Sequence, residues 1–173
     1  GILNINNESF FAGSRHTALE EIDAALGQMI ARGADIIDIG ACSTRPGSTP
    51  VTLEQEWEYL REPLRMIAVK WLDNEGLSGR VKISLDTFRS EIVRRAYDIL
   101  GSFIVNDISA GEDDPQMLSL VGRLGLGYIA MHKRGDSKTM QSLTDYDDVV
   151  EEVKTYFDEF ASKAASAGIR DWV

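Results

Sequence analysis

Five short apolar runs in this 173-residue chain end on, or contain, an amide, a carboxylate or an imidazole side chain. These side chains are Asn4, Asp38, Asp86, the pair Asn106-Asp107, and His132. Any one of them alone is typical of a turn or a helix cap. Because polar groups at buried strand ends cost stability unless they are paired or used, the five positions together predict one binding site.

The loop after the second run carries the strongest local signal. It reads Ala41-Cys42-Ser43-Thr44-Arg45-Pro46-Gly47-Ser48. Hydroxyls beside a fork-shaped guanidinium suit a cluster of anionic oxygens such as pyrophosphate. A surface loop with incidental polar residues has the same composition, and on composition alone both interpretations stay open.

The apolar runs themselves predict strands. They cover Gly1–Ile5, Ala34–Gly40, Val81–Asp86, Phe103–Ile108 and Gly127–His132. Each is short and rich in β-branched residues, and longer stretches with helical spacing separate them. A sixth apolar run begins at Ile169, and the sequence stops at Val173.

The helical stretches have recognisable start and stop signals. Gly33 and Gly101 end two of them, and Thr52 with Gln55 fits a capping box. Two further starts are predicted at Thr87, as an N-cap, and at Asp114-Pro115. The last helix is predicted from Asp145 to about Ala167, and Pro63 should kink or divide the second.

Strands that alternate with helices predict an α/β fold with a parallel sheet and right-handed crossovers. Two architectures fit: a complete doubly wound sheet, or the first part of an eight-stranded (β/α)8 TIM barrel. The fresh strand at Ile169–Val173, with no helix to cover it, favours the barrel. About five and a half βα units are then present, in one domain over residues 1–173 whose C-terminal strands are missing.

Composition narrows the classes of function. The net charge of −10 speaks against broad nucleic-acid binding, and no apolar run is long enough to cross a membrane. One cysteine and two histidines exclude an internal disulfide and a His-rich zinc site. No secretory signal is visible, so we expect a cytoplasmic protein.

Four blocks of sequence resemble the dihydropteroate synthases of folate biosynthesis. The first is Gly1-Ile2-Leu3-Asn4 with Ser9-Phe10, and the second is Ala34–Gly40 with Ser43-Thr44-Arg45-Pro46-Gly47. The third comprises Ser84-Leu85-Asp86-Thr87 and Val105-Asn106-Asp107-Ile108, and the fourth Met131-His132 with Gly135 and Thr139-Met140-Gln141. The resemblance covers essentially the whole chain and implies the TIM barrel.

The resemblance also implies a reaction. It joins 6-hydroxymethyl-7,8-dihydropterin pyrophosphate to p-aminobenzoate, gives 7,8-dihydropteroate and pyrophosphate, and requires Mg²⁺. By this resemblance, Asn4 would bind the metal, and Ser43, Thr44 and Arg45 would bind the pyrophosphate. The pterin would contact Asp86, Asn106, Ile108 and Met131. The p-aminobenzoate would contact Phe10 and Pro46. Asp86, Arg45 and Asp38 would be catalytic, and the full-length protein would be a homodimer.

Two departures from the family pattern leave alternatives. Asn6-Asn7-Glu8 replaces the usual Thr-Pro-Asp, and Ala41-Cys42 stands where Gly-Glu is common. A non-catalytic pterin-binding relative would keep Asp86 and Asn106 without closing the first loop. A methyltetrahydrofolate-binding methyltransferase domain would share the barrel and the pterin site, with a cobalamin partner.

Overall fold

Five parallel strands form one sheet in the computed structural model, which describes residues 1–5, 15–42, 51–72, 81–135, 139 and 142–173. The strands are β1 (Ile2–Asn4), β2 (Ile36–Gly40), β3 (Lys82–Asp86), β4 (Ile104–Asp107) and β5 (Gly127–Ala130). Each lies inside the run predicted for it and is shorter by one or two residues at an end. The predicted alternation of strands and helices is therefore confirmed.

The order of the strands in the sheet decides between the two predicted architectures. The sheet runs β1-β2-β3-β4-β5, in the order of the chain. A doubly wound sheet reverses its strand order at a switch point, whereas a βα barrel adds each strand next to the preceding one. The sheet is therefore an arc of a barrel, and the barrel prediction is confirmed.

The start of a sixth strand lies beside β5. Trp172 forms a parallel bridge with Tyr128, and the amide N–H of Ala130 donates to the carbonyl of Val173 at 2.8 Å. This pairing extends the arc in the same order, as the apolar run from Ile169 predicted.

The two faces of the sheet differ. The outer face carries the apolar core: Leu3, Ile5, Ile37, Ile39, Ile83, Leu85, Val105, Tyr128 and Ala130 are buried. The inner face is open, so that Ile2 is 69% exposed whereas its neighbour Leu3 is 9% exposed. Because successive side chains of a strand point to opposite faces, this pattern separates a helix-covered core from the barrel interior.

The helices that cover the outer face are α1 (Arg15–Ala31), α2 (Leu53–Ile67), α3 (Ser90–Leu100), α4 (Met117–Leu124) and α5 (Val149–Ala167). A π-helical segment, Ala68–Leu72, continues α2. The capping box of α2 is present, since Gln55 N donates to Thr52 Oγ1 at 3.3 Å and Thr52 N to Gln55 Oε1 at 3.0 Å. No helix in the described part of the chain is long and apolar enough to cross a membrane.

Four predicted helix features differ from the structure. Pro63 does not divide α2, which continues through it to Ile67, and Pro63 is buried with Leu60, Leu64 and Ile67 along one side of the helix. The helix predicted from Asp145 begins at Val149, where Asp148 accepts N–H donors from the first turn.

The two other starts also fall later than predicted. Asp114 holds a turn before α4 by accepting from Gln116 N at 2.9 Å, and α4 itself begins at Met117. Thr87 is not the N-cap of α3, because the helix begins only at Ser90 and Arg89 stands at the N-cap position. The Thr87 hydroxyl instead accepts from Arg89 N at 3.3 Å and donates to a buried carboxylate described below.

Candidate active site

The inner face carries two rows of side chains that the strand register aligns. The upper row, nearer the carboxyl ends, is Asn4, Gly40, Asp86, Asn106 and Ile129. The lower row is Ile2, Asp38, Ser84, Ile104 and Gly127. In a βα barrel the carboxyl ends of the strands form the face that carries active sites. The polar residues of the two rows therefore lie where a barrel enzyme binds its substrate.

Asp38 links the two rows by hydrogen bonds. Asn106 Nδ2 donates to both oxygens of Asp38 at 3.2 Å, and Ser84 Oγ donates to Asp38 Oδ1. The bond to Asn106 joins β2 to β4 across β3, the strand that carries Ser84. Three sequence-distant residues are thus joined into one cluster.

Asp86 lies at the carboxyl end of β3 between Gly40 and Asn106 in the upper row. It is half-buried, and among the described residues no donor or cation reaches its carboxylate. Burial, followed by repulsion from Asp38, Glu56 and Asp107, raises the pKa of Asp86 to about 6. An unpaired carboxylate with a raised pKa on a concave face is typical of a functional site.

Asn4 stands at the end of the upper row, where its carboxamide is exposed. Within the described residues no group of three or more His, Cys, Asp or Glu side chains could hold a metal ion. Mg²⁺ often keeps several waters and binds through one or two protein oxygens plus substrate phosphates. The single amide oxygen of Asn4 fits an ion held in that way.

The other predicted site residues fall into two groups. Ile108 follows β4 and is half-buried, and Met131 follows β5 and is 38% exposed. Both therefore lie at the edge of the sheet that carries Asp86 and Asn106. The remaining predicted residues, Phe10, Ser43, Thr44, Arg45 and Pro46, lie outside the described residues.

Asp107 and His132 do not join the site, contrary to the prediction from the strand ends. Asp107 faces the helices, where it is buried and accepts from Tyr128 Oη at 2.6 Å and from Ser109 and Gly111. His132 packs edge-on against Tyr156 of α5, with ring centroids 4.8 Å apart. Strand alternation explains Asp107, because it directly follows an inward-facing residue.

A buried ion pair that sequence reasoning missed lies beside the site. Glu56 of α2 is fully buried and accepts from Arg89 Nη1 and, at 2.7 Å, from Thr87 Oγ1. Arg89 Nη2 also donates to the carbonyl of Val51 at 2.6 Å. The sequence contains one sign of this ion pair, because the acidic residue Glu56 lies among the apolar positions on one side of α2.

Ser84 and Gly40 were also missed as members of the site. Their signal was the two-residue period: Ser84 shares a face with Asp86, and Gly40 shares a face with Asp38. In the structure Gly40 leaves room for the Asp86 side chain, since a β-carbon at Gly40 would stand 3.1 Å from Asp86 Oδ2.

The barrel arc and its polar inner face belong to a class of enzymes that bind pterins. A model described as "Pterin binding enzyme" matches residues 1–173, and the chain belongs to this family.

Curated relatives carry more particular names. The chain is 37% identical to the dihydropteroate synthase of Escherichia coli over 169 residues, which is 98% of this chain and 56% of that protein. It is 39% identical to a folic acid synthesis protein of Pneumocystis carinii, of which it covers 22%. The chain thus spans about half the length, or less, of the curated relatives it matches.

Solved structures agree with this assignment. The dihydropteroate synthase of Xanthomonas albilineans with 4-aminobenzoic acid matches with a TM-score of 0.77 and 32% identity, over 98% of this chain and 56% of that one. The Yersinia pestis dihydropteroate synthase in complex with a sulfonamide drug matches with a TM-score of 0.82 and 29% identity, over 98% and 58%.

Proposed function

We propose that the full-length protein is a dihydropteroate synthase. It would condense 6-hydroxymethyl-7,8-dihydropterin pyrophosphate with p-aminobenzoate to give 7,8-dihydropteroate and pyrophosphate. The observation that carries this proposal is the pair Asp86 and Asn106, adjacent in the upper row of a pterin-binding-family barrel. Relatives and solved structures named dihydropteroate synthase support it.

The pair suits the edge of a pterin. A carboxylate accepts hydrogen bonds only, whereas a carboxamide has one acceptor and one donor side. A pterin presents ring N–H and amino groups along one edge, and Asp86 with Asn106 can accept from them. Ile108 and Met131, at the same edge of the sheet, are proposed as apolar walls for the ring.

The reaction replaces a carbon–oxygen bond by a carbon–nitrogen bond. When the bond from the pterin methylene to pyrophosphate breaks, positive charge develops on the methylene pterin. The carboxylates of Asp86 and Asp38 line the same concave face and would stabilise that charge. The amine of p-aminobenzoate then attacks the methylene carbon, and the proton that the nitrogen loses passes to solvent.

The leaving group needs cations. We assign pyrophosphate binding to Ser43, Thr44 and Arg45, whose hydroxyls and guanidinium suit phosphate oxygens. Mg²⁺, with Asn4 as its protein ligand, would neutralise negative charge on the departing pyrophosphate. Phe10 and Pro46 are proposed to contact p-aminobenzoate.

The state of the full-length protein follows from the same family resemblance. We propose a homodimer that works in the cytoplasm. Light scattering after size exclusion measures the mass in solution, and a monomeric mass at working concentration would contradict the dimer.

Replacement of Arg45 by Ala tests the proposed reaction. In the full-length protein with both substrates and Mg²⁺, we expect Arg45→Ala to lower kcat/KM for dihydropteroate formation by about a hundredfold or more. Arg94→Ala is the matched control, because Arg94 is an exposed arginine of α3 that pairs with Glu91. Unchanged turnover in Arg45→Ala would contradict the role of Arg45.

The wild-type protein separates the alternative functions in the same assay. Pterin binding by calorimetry without formation of dihydropteroate would identify a non-catalytic binder. Methyl transfer that depends on cobalamin and ignores p-aminobenzoate would identify a methyltransferase domain.

A further inference from the structure

The contacts of Asp38 restrict how Asn106 can be oriented. Asn106 Nδ2 lies 3.2 Å from each Asp38 oxygen, and Ser84 Oγ donates to Oδ1 of the same carboxylate. Asp38 is half-buried and lies one row below Asn106. It therefore meets Asn106 from beneath, on the side away from the carboxyl ends of the strands.

The orientation of the carboxamide follows from hydrogen-bond chemistry. An ionised carboxylate has no donor, so only the NH2 side of Asn106 can face Asp38 favourably. The flipped carboxamide would place its carbonyl oxygen against two carboxylate oxygens. The Ser84 hydroxyl supports the same arrangement, because it also donates to Asp38 Oδ1 and helps to hold that carboxylate in place.

The same orientation leaves the Asn106 carbonyl oxygen available to a ligand. Within the described ranges no donor reaches Asn106 Oδ1, and none reaches the carboxylate of Asp86 on the adjacent strand. Asp86 and Asn106 are direct neighbours in the β3–β4 register. The upper row thus presents two adjacent acceptors and no competing donor from Asn106.

We propose that Asp38, supported by Ser84, is a positioning residue that holds the Asn106 carboxamide with its oxygen towards the ligand. The site thereby selects a ligand edge that carries neighbouring N–H donors. This inference rests on the proposed function, because it takes that ligand to be the dihydropterin substrate. Asp38 contributes to binding through Asn106 in addition to its negative charge.

A double-mutant cycle in the full-length protein tests whether Asp38 acts through Asn106. The ligand is 6-hydroxymethyl-7,8-dihydropterin pyrophosphate, and calorimetry measures its Kd for wild type, Asp38→Asn, Asn106→Ala and the double variant. We expect Asp38→Asn to raise Kd about tenfold in the wild-type background and less than about twofold when Asn106 is already Ala. Equal effects in both backgrounds, or no effect in either, would overturn the proposal.

Two further variants test whether the change in Kd has a purely structural cause. Asp35→Asn makes the same chemical change just before β2, at an exposed residue, and should leave Kd unchanged. The exchange Asp38→Asn with Asn106→Asp restores an amide–carboxylate bond and keeps an acceptor towards the ligand. It should recover affinity to within about threefold of wild type, and failure to recover in a folded variant would count against the proposal.

A measurement on the protein without ligand tests this inference independently of the proposed function. The side-chain amide protons of Asn106, assigned by their loss in Asn106→Ala, should resonate downfield in wild type because they bond a carboxylate. In Asp38→Asn, and to a smaller extent in Ser84→Ala, they should move towards the position of a free amide. An unchanged spectrum in Asp38→Asn would overturn the inference, whereas absence of pterin binding by the wild type would contradict only the proposed function.

Discussion

The Cα of Gly40 lies directly against the side chain of Asp86. A β-carbon added at Gly40 would stand 3.1 Å from both Cβ and Oδ2 of Asp86. The two residues are paired in the β2–β3 register on the inner face. The position of the Asp86 carboxylate thus depends on the absence of a side chain on the neighbouring strand.

Replacement of Gly40 by Ala should therefore disturb binding more than stability. Asp86 is half-buried and can move aside, so we expect a loss of about 1 kcal/mol in the free energy of unfolding. Displacement of the carboxylate should raise the Kd for the proposed dihydropterin substrate about tenfold. Gly127→Ala is the control, because its β-carbon would meet Ile104 Cγ1 at an ordinary 3.4 Å on the same face. Equal Kd values for the two variants would contradict this relationship.

The raised pKa of Asp86 predicts a stability that depends on pH. Its pKa of about 6 in the folded protein lies above the ordinary value of 3.8, so the folded state holds a proton that the unfolded state has lost between these values. The ionised carboxylate consequently destabilises the fold above pH 6, and this cost disappears as the pH falls from 6 towards 4.

Asp86→Asn should remove that cost. We expect the variant to be more stable than wild type by about 1 kcal/mol at pH 8, after allowance for partial exposure, and equally stable near pH 4. Thermal unfolding at both pH values measures this, with Asp98→Asn on the exposed side of α3 as the control. A difference of the same size at pH 4 would show that burial of charge is not its cause.

Removal of one partner from the buried ion pair between Glu56 and Arg89 should be strongly destabilising, because it leaves a buried charge without its partner. Arg89→Met leaves the fully buried Glu56 carboxylate with the Thr87 hydroxyl as its one partner in the described part of the chain. We therefore expect a loss of about 3–5 kcal/mol in denaturant unfolding. Adding Glu56→Gln should recover part of it, because position 56 then no longer carries a buried charge without a partner. Arg94→Met, which breaks an exposed pair with Glu91, should lower stability far less than Arg89→Met. Equal losses in Arg89→Met and Arg94→Met would refute the prediction.

Asn106 and Asp107 are adjacent in sequence, but we expect Asn106 to affect pterin binding and the contacts of Asp107 to affect stability. Tyr128→Phe removes the hydroxyl that donates to Asp107 at 2.6 Å and should cost about 1–3 kcal/mol of stability. Because this bond lies on the helix-covered face, kcat/KM of the folded variant should stay within about twofold of wild type. Asn106→Ala should show the opposite pattern, with weaker pterin binding and little loss of stability. A large loss of kcat/KM in folded Tyr128→Phe would mean that the two faces are coupled.

Local patterns were sufficient for much of the fold. The β-branched runs predicted all five strands, and the Thr52–Gln55 capping box and the glycines after α1 and α3 predicted helix ends. Local patterns failed at two positions. At Pro63, burial of the helix face outweighs one missing hydrogen bond. At Thr87, the hydroxyl bonds a carboxylate 31 residues away in the sequence. Such partners are set by packing and leave no trace in a short window of sequence.

The sequence by itself determined which residue types stand at the strand ends, and its resemblance to dihydropteroate synthases implied the roles proposed for them. Only the tertiary structure decided which of them meet. Register places Asp86 beside Asn106 and turns Asp107 away, because a shift of one residue along a strand moves a side chain to the other face. The tertiary structure also brings Asp38 under Asn106, although the two residues lie two strands apart, because the curvature of the sheet makes its inner face concave.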